Sequence, residues 1–259
     1  MSTLKALLFD VDGTIADTER DGHRVAFNKA FVDAGLDWCW DVALYGRLLA
    51  VSGGKERLHY FIRDWVPEFD APEDLESFIR QLHQAKTRRY LALLEQGGIP
   101  LRPGVERLLK EARAAGLQLG VVTTTTPENV TALLGSTLGM DSLGWFDVIA
   151  AGDIVAAKKP APDIYQYALD QLNLPAAQCL ALEDSDNGVL SSSGAGIETV
   201  VTVNDYTRQQ EFAGAAIVVD QLGEPGAGFE VIVGDAGDAT LIDVAFLESL
   251  FAKRQSLTG

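Results

Sequence analysis

Residues 4–10 form the segment that most constrains the fold, because this apolar run predicts a buried strand that stands alone at the start of the chain. Helical periodicity follows over residues 17–95, with 73–94 as the longest amphipathic stretch. Strand-like and helical segments then alternate, which is typical of a parallel sheet with helices on both faces. The predicted strands are 118–123, 146–150, 179–182, 199–203 and 216–219, and the predicted helices are 128–134, 162–172, 187–193 and 243–253.

This pattern predicts an α/β core made of residues 1–16 and 97–259, with a helical domain of residues 17–96 inserted after the first strand. The Gly- and Pro-rich segment 95–104 marks the return to the core. The acidic segment 224–238 is predicted to be surface loop and turn. Because ligands of open parallel sheets bind beyond the carboxyl ends of the strands, we expect functional side chains directly after the apolar runs.

The net charge of the chain limits the classes of molecule that it can bind. The chain has 37 acidic and 21 basic side chains, a formal net charge of −16, which argues against nucleic-acid binding. It also repels anionic substrates at long range, so an enzyme for phosphorylated metabolites would need local basic groups or a divalent cation.

Other features of the chain point to location and assembly. No apolar run approaches the roughly 20 residues of a membrane span. The two cysteines, Cys39 and Cys179, are predicted to be reduced. The lack of a signal or transit segment predicts a cytoplasmic protein, with the mature form of a chloroplast stromal protein as the alternative. We expect a chain of this size to act as a monomer.

Two aspartates end the first apolar run. Asp10 and Asp12 are two positions apart and point the same way in extended backbone. Like carboxylates held together perturb each other's protonation unless a cation lies between them, and Mg²⁺ prefers such oxygen ligands. The alternative is a turn whose acids cap the next helix, but the combination with Gly13 after an apolar strand favours the catalytic interpretation.

Thr123 and the lysine pair Lys158–Lys159 form the second and third polar clusters. The Thr123 hydroxyl can hold a phosphate oxygen together with backbone N–H groups at the next helix start. The alternative is a helix N-cap, because the threonine run precedes Pro127. A lysine held in a Pro-rich loop can neutralise a phosphoryl group, whereas a lone lysine is more often a solvated surface residue.

The fourth cluster, Glu183 and Asp184, follows another apolar run. Acids in this position suggest metal ligands, and the alternative is an N-cap by Asp184 or Ser185. Together the four clusters are more specific than any one, because they supply in chain order a nucleophile, a phosphate-binding hydroxyl, a cation and metal-binding acids.

These clusters resemble the four motifs of the haloacid dehalogenase superfamily. The matching segments are "DVDGT", "TTTT", "KKPAPDIY" and "EDSDNG". The resemblance implies a Rossmannoid core and a helical C1-type cap. Within the superfamily, "DTERDGHRVAFN", "GLDWCWD", "SGGKERL" and "TTTTPENV" resemble the CbbY phosphatases. The CbbY phosphatases are similar in fold to β-phosphoglucomutase. They convert xylulose-1,5-bisphosphate, an inhibitor of the Calvin-cycle enzyme Rubisco, to xylulose 5-phosphate.

The resemblance also implies a mechanism. Asp10 would attack phosphorus and become an aspartyl-phosphate, while Asp12 would act as general acid and then general base. Mg²⁺ would be held by the Asp10 side chain, the Asp12 carbonyl and Asp184, with support from Glu183. The transferring phosphoryl group would be gripped by Thr123 and by Lys159, which directly precedes "PAPD"; Lys158 is the alternative.

Substrate contacts follow from the same resemblance. Glu19 and His23 would contact sugar hydroxyls or phosphate, although a lone helical histidine is often structural. Lys55 and Arg57 follow a Gly-Gly turn and suit a second phosphate; the alternative is a helix start with two exposed bases. Thr124 and Asn129 are further predicted contacts. The functional alternatives are a phosphosugar mutase, a broader sugar-phosphate or phosphoglycolate phosphatase, and a non-catalytic phosphosugar-binding protein.

Overall fold

A seven-stranded sheet forms the centre of the molecule. The computed structural model describes residues 3–97 and 99–258, so the predicted core ends at residues 1 and 259 lie outside the described residues. In chain order the strands are β1 Ala6–Phe9, β2 Gln118–Thr123, β3 Val148–Ala151, β4 Cys179–Glu183, β5 Glu198–Thr202, β6 Ile217–Val219 and β7 Val231–Val233. Their spatial order is β3-β2-β1-β4-β5-β6-β7. The first six strands are parallel, as predicted.

Strand β1 lies in the middle of the sheet and is covered on both faces. Leu7 and Phe9 belong to one hydrophobic cluster, whereas Ala6 and Leu8 belong to another. This alternation explains why β1 is a continuous apolar run instead of an alternating one. The core helices are α5 Val105–Ala114, α6 Pro127–Leu138, α7 Asp163–Leu172, α8 Asp186–Gly194 and α9 Val244–Thr258.

The prediction of loop and turn throughout 224–238 is wrong at β7. Val231–Val233 pairs antiparallel with β6 at the sheet edge. The three β-branched residues Val-Ile-Val favour a strand, but three residues are too few to show a period, and the surrounding glycines and acids indicated loop. The side chain of Val233 is 59% exposed, as an edge strand allows.

Residues 17–96 contain helices and no strand, which agrees with the predicted secondary structure of the insertion. A π-helical turn, Glu19–His23, leads into α1 Arg24–Asp33, α2 Val42–Leu48, α3 Gly54–Trp65 and α4 Leu75–Glu95. Trp38 and Trp40 lie in a separate hydrophobic cluster of this region. No described helix has the length and apolarity to cross a membrane. The exact domain boundaries stay a prediction.

The two linkers of the helical region run side by side. Ala16 in the outgoing linker pairs with Leu101 in the returning one, and the Arg102 amide donates to the Ile15 carbonyl at 2.9 Å. The chain therefore leaves the core and re-enters it at one point, next to the end of β1.

Candidate active site

A buried lysine joins carboxylates from two strands at the carboxyl edge of the sheet. Lys159 Nζ lies 2.7 Å from Asp10 Oδ1 and 2.6 Å from Glu183 Oε1, and it donates to the Val122 carbonyl at 2.8 Å. These side chains meet because β1, β2 and β4 are parallel neighbours in matched register. Lys158 instead contacts Asp153 Oδ1 at 2.7 Å. Lys159 is thus the lysine that meets Asp10.

Three carboxylates could hold a metal ion at this point. One ligand oxygen from each of Asp10, Glu183 and Asp184 lies within 4.8 Å of the others, and all three residues are buried. Glu183 Oε2 has no hydrogen-bond partner among the described residues. A β-carbon at Gly188 would overlap that oxygen. Buried carboxylate oxygens that lack hydrogen-bond donors are suitable ligands for a hard divalent cation such as Mg²⁺.

The Asp12 carboxylate is held apart from this cluster. Its Oδ1 accepts hydrogen bonds from the Thr18 hydroxyl and from His23 Nε2, the latter at 2.8 Å. His23 is buried in the π-helical turn and its ring packs 4.1 Å from that of Tyr90. Sequence reasoning selected His23 as a sugar or phosphate contact and not as a partner of Asp12, and it missed Thr18, whose neighbours give no signal that its hydroxyl faces the acid.

The two aspartates differ in protonation because their surroundings differ. Burial raises the pKa of Asp10 to about 8; Lys159 opposes the rise, and the nearby Glu183 and Asp12 reinforce it. Burial also raises the pKa of Asp12, but the charge and hydrogen bond of His23, followed by Thr18 and Lys86, outweigh it and bring the value to about 2. Asp10 therefore needs a further cation to be ionised at neutral pH, whereas Asp12 is ionised already.

A cleft extends from Asp10 to the helical region. Arg57 is buried at its side and donates to the Tyr45 hydroxyl at 3.0 Å. Tyr45 in turn donates to Glu19, whose Oε2 lies 4.0 Å from the guanidinium. The predicted substrate residues Glu19 and Arg57 therefore share this cleft with the acids.

Lys55 and Asn129 lie away from the cleft residues. Lys55 pairs with Asp153 and lines a different cavity. Asn129 is buried on α6, where its Nδ2 donates to Thr125 Oγ1 at 3.1 Å. The Oδ1 of Asn129 has no hydrogen-bond partner among the described residues, and the substrate contacts of Lys55 and Asn129 stay predictions.

The helix-capping alternatives hold for neighbours of the predicted site residues, within the threonine run and at Ser185. Thr126, not Thr123, caps α6, and Ser185 caps α8 by accepting from the Gly188 amide at 3.1 Å. Thr123 and Thr124 consequently line the cleft, and Asp184 is free to face the metal cluster.

Lys86 on α4 was missed by the sequence reasoning. It is buried, it lines a smaller cavity with Asp12 and Arg57, and no described residue forms an ion pair with it. Burial lowers its pKa to about 8. A signal existed, since Lys86 continues the inward stripe that runs from Leu82 to Tyr90 at four-residue spacing.

A fifth polar cluster after β5 was also missed. Asn204, Tyr206, Thr207 and Gln210 line the cleft. They obey the same rule as the other four clusters, because polar residues at the carboxyl end of a parallel strand face the site.

The parallel sheet and its buried lysine–carboxylate cluster define a haloacid dehalogenase-like hydrolase. Residues 4–196 match the model of that family, and the chain therefore belongs to it. Within the family its likeness is to CbbY proteins. CbbY of Cupriavidus necator is 50% identical over 222 residues, which cover 86% of this chain and 87% of that protein.

Solved structures agree with this placement. A mutant CbbY from Rhodobacter sphaeroides in complex with xylulose-1,5-bisphosphate has a TM-score of 0.79 at 47% identity, covering 84% of this chain and 94% of that one. A β-phosphoglucomutase from Clostridium difficile has a TM-score of 0.75 at 20% identity, covering 98% and 99%, and shows the shared fold. The sequence-based assignments of fold class and family are confirmed, and the chain is a hydrolase of phosphoric monoesters.

Proposed function

We propose that this chain is a Mg²⁺-dependent phosphatase that removes the 1-phosphate of xylulose-1,5-bisphosphate to give xylulose 5-phosphate. The observation that carries the proposal is a single cleft lined both by the Asp10–Lys159 pair and by a second buried cation, Arg57. A bisphosphate requires two such anion-binding groups. The complex of the related CbbY with this bisphosphate supports the choice of sugar.

In the proposed reaction Asp10 attacks phosphorus as the bond to the sugar oxygen breaks, and Asp12 gives that oxygen its proton. Water then attacks the aspartyl-phosphate and loses its proton to Asp12. Asp12 must be protonated for the first step. The charge of a bound phosphate raises the pKa of a nearby carboxyl and so favours that protonated form.

The remaining groups of the site would neutralise the charge of the transferring phosphoryl group and orient it. Lys159 and Thr123 would grip the transferring phosphoryl group. The Asp10 and Asp184 side chains and the Asp12 carbonyl would hold Mg²⁺, with Glu183 in support, and the bound cation would neutralise phosphoryl oxygens. In phosphoryl transfer such positioning and charge neutralisation supply most of the catalysis.

The activity is tested by comparing two reactions. We expect Mg²⁺-dependent phosphate release from xylulose-1,5-bisphosphate and little conversion of β-glucose 1-phosphate to glucose 6-phosphate. Efficient interconversion without phosphate release would identify a mutase instead and would refute the proposal. A cytoplasmic location, a monomeric state and the absence of nucleic-acid partners remain proposals from the sequence.

Arg57→Ala is expected to impair the bisphosphate reaction selectively. The guanidinium lines the cleft that contains Asp10, whereas Lys55 does not, and charged hydrogen bonds of about 1.5–3 kcal/mol correspond to a roughly 10- to 100-fold loss in kcat/KM. Steady-state kinetics with xylulose-1,5-bisphosphate and a sugar monophosphate measure the effect. Lys55→Ala is the matched control and should resemble the parent, because Lys55 pairs with Asp153. Equal losses on both substrates would contradict the distal-phosphate role.

Mg²⁺ is expected to stabilise the protein more at pH 8 than at pH 6. Without metal, the folded-state pKa of Asp10 is about 8 against an ordinary 3.8, and burial also raises that of Asp184. The folded state then binds more protons than the unfolded state between about pH 4 and 8, so stability falls as pH rises. Mg²⁺ replaces those protons and contributes about 2.7 kcal/mol at 100 times its Kd.

Thermal unfolding with EDTA and with Mg²⁺ at both pH values measures this difference. KCl of equal ionic strength controls for general screening. The same Mg²⁺-induced change in Tm at pH 6 and pH 8 would argue against a metal bound by Asp10 and Asp184.

A further inference from the structure

A second buried cation, Arg102, lies behind the catalytic loop. It stands where the chain re-enters the core, and its side chain is 6% exposed. The guanidinium donates to backbone carbonyls of three segments: Gly13 after β1, Thr202 at 3.0 Å and Val203 at 2.6 Å at the end of β5, and Asp220 at 2.7 Å after β6. Three strand ends are thereby tied to one side chain.

Asn204 connects the end of β5 to the acid cluster. It directly follows Val203, and its Nδ2 donates to Asp184 Oδ2 at 2.7 Å. Its Oδ1 accepts from the Tyr206 amide at 2.9 Å. Because the oxygen is committed to that N–H, the NH₂ group must face the carboxylate, and the orientation of the amide is fixed.

Gly13, in the loop after β1, contacts both Asp184 and Asn204. Its φ of +97° is a backbone conformation that residues other than glycine rarely adopt. A β-carbon at this position would overlap the Asp184 carboxylate and lie 2.6 Å from Asn204 Nδ2. The backbone of Gly13 therefore packs directly on the Asp184–Asn204 pair. Arg102 holds the carbonyl of the same glycine, so these four residues form one continuous contact.

The charge of Arg102 is also suited to this place. Lys159 contacts Asp10 and Glu183, whereas no described residue forms an ion pair with Asp184. Burial and the two neighbouring carboxylates raise the pKa of Asp184, and Arg102 followed by the Asn204 hydrogen bond opposes the rise. Among the described residues, Arg102 forms an ion pair only with the exposed Asp17, at 3.5 Å. Its positive charge therefore also stabilises the nearby carboxylates of the acid cluster.

We propose that Arg102 and Asn204 are positioning residues for the Asp184 carboxylate: Arg102 clamps the Gly13 loop to the end of β5, and Asn204 aims Asp184 at the metal cluster. The inference rests on the proposed Mg²⁺ site and adds the residues that hold its third carboxylate in place. Groups that orient a metal ligand affect metal affinity by about 10- to 100-fold when removed.

Isothermal titration of Mg²⁺ into the full chain, well below the Tm of each variant, tests this role without an activity assay. Arg102→Met and Asn204→Ala are expected to weaken the Mg²⁺ Kd at least about tenfold. Arg107→Met is the matched control, since Arg107 also donates to carbonyls, those of Leu222, Gly223 and Ile242, but none of these belongs to the site. It should lose stability and keep the parent Kd. Arg102→Lys should recover part of the affinity.

The outcomes separate this role from a purely structural one. A parent-like Kd in Arg102→Met, alongside a lowered Tm, would overturn the proposal. If that variant does not fold, a parent-like Kd in Asn204→Ala overturns it. A parent protein that binds no Mg²⁺ would refute the metal site of the proposed function and this inference with it, whereas tight binding by the parent and both variants alike would refute only the inference.

Discussion

Asp10→Asn is expected to abolish phosphatase activity, with a loss of about 10⁴-fold or more in kcat, because an amide cannot form the aspartyl-phosphate. The same variant should fold well. Burial, followed by the nearby Glu183 and Asp12, raises the pKa of Asp10 to about 8, so a neutral amide is tolerated there, and Lys159 keeps Glu183 as its partner. Phosphate release from xylulose-1,5-bisphosphate measures the activity, and acid-quenched protein with labelled substrate reports the covalent intermediate.

Asp21→Asn is the matched control for this change. Asp21 lies in the exposed part of the neighbouring π-helical turn, so the same loss of charge there should leave the rate close to that of the parent. Residual turnover of more than a few per cent in the Asp10 variant, or labelled aspartyl-phosphate in its presence, would show that another residue is the nucleophile.

Asp12→Asn is expected to lower kcat by about 10²- to 10⁴-fold, the usual range for losing a general acid–base group. The effect should depend on the leaving group. With a sugar phosphate both steps suffer, because the sugar oxygen needs a proton. The leaving group of p-nitrophenyl phosphate needs no proton. With this substrate, phosphoryl transfer to Asp10 should proceed, whereas hydrolysis of the aspartyl-phosphate should be slow. Rapid-quench kinetics should then show a burst of one nitrophenolate per enzyme and an accumulated aspartyl-phosphate.

Two further variants make the Asp12 result specific. His23→Ala and Thr18→Ala remove the donors that hold the Asp12 carboxylate, so each should shift the pH profile without accumulating the intermediate. An Asp12 variant that loses the burst together with steady-state turnover would assign Asp12 to binding or structure instead of proton transfer.

The parts of the molecule that the sequence predicted are those set by local pattern. The parallel strands were predictable because each is a short apolar run, and Asp10, Thr123 and Glu183 because each stands at the end of such a run. In each case the physical cause lies within a few residues of the feature. The choice of Lys159 over Lys158 rested instead on the resemblance of "KKPAPDIY" to the family motif.

The parts that were missed depend on partners far away in the chain. Arg102 contacts carbonyls 89 to 118 positions away, and backbone carbonyls carry no sequence identity that a pattern could detect. Lys55 was placed with Arg57 because the two are neighbours in sequence. On α3, however, side chains two positions apart face different directions, and Asp153 from the core was available to pair with Lys55.

The adjacent linkers at Ala16 and Leu101 have a consequence for how such enzymes diversify. The entropy of closing a loop depends on bringing its two ends together and only weakly on its length, and here the ends already meet. The whole segment between them can therefore be exchanged as one contiguous stretch of gene without altering strand order or the acids that follow β1. Recombination at these two points would change which phosphate ester is admitted and would also replace Thr18 and His23 beside Asp12, while the acids that follow β1 are kept.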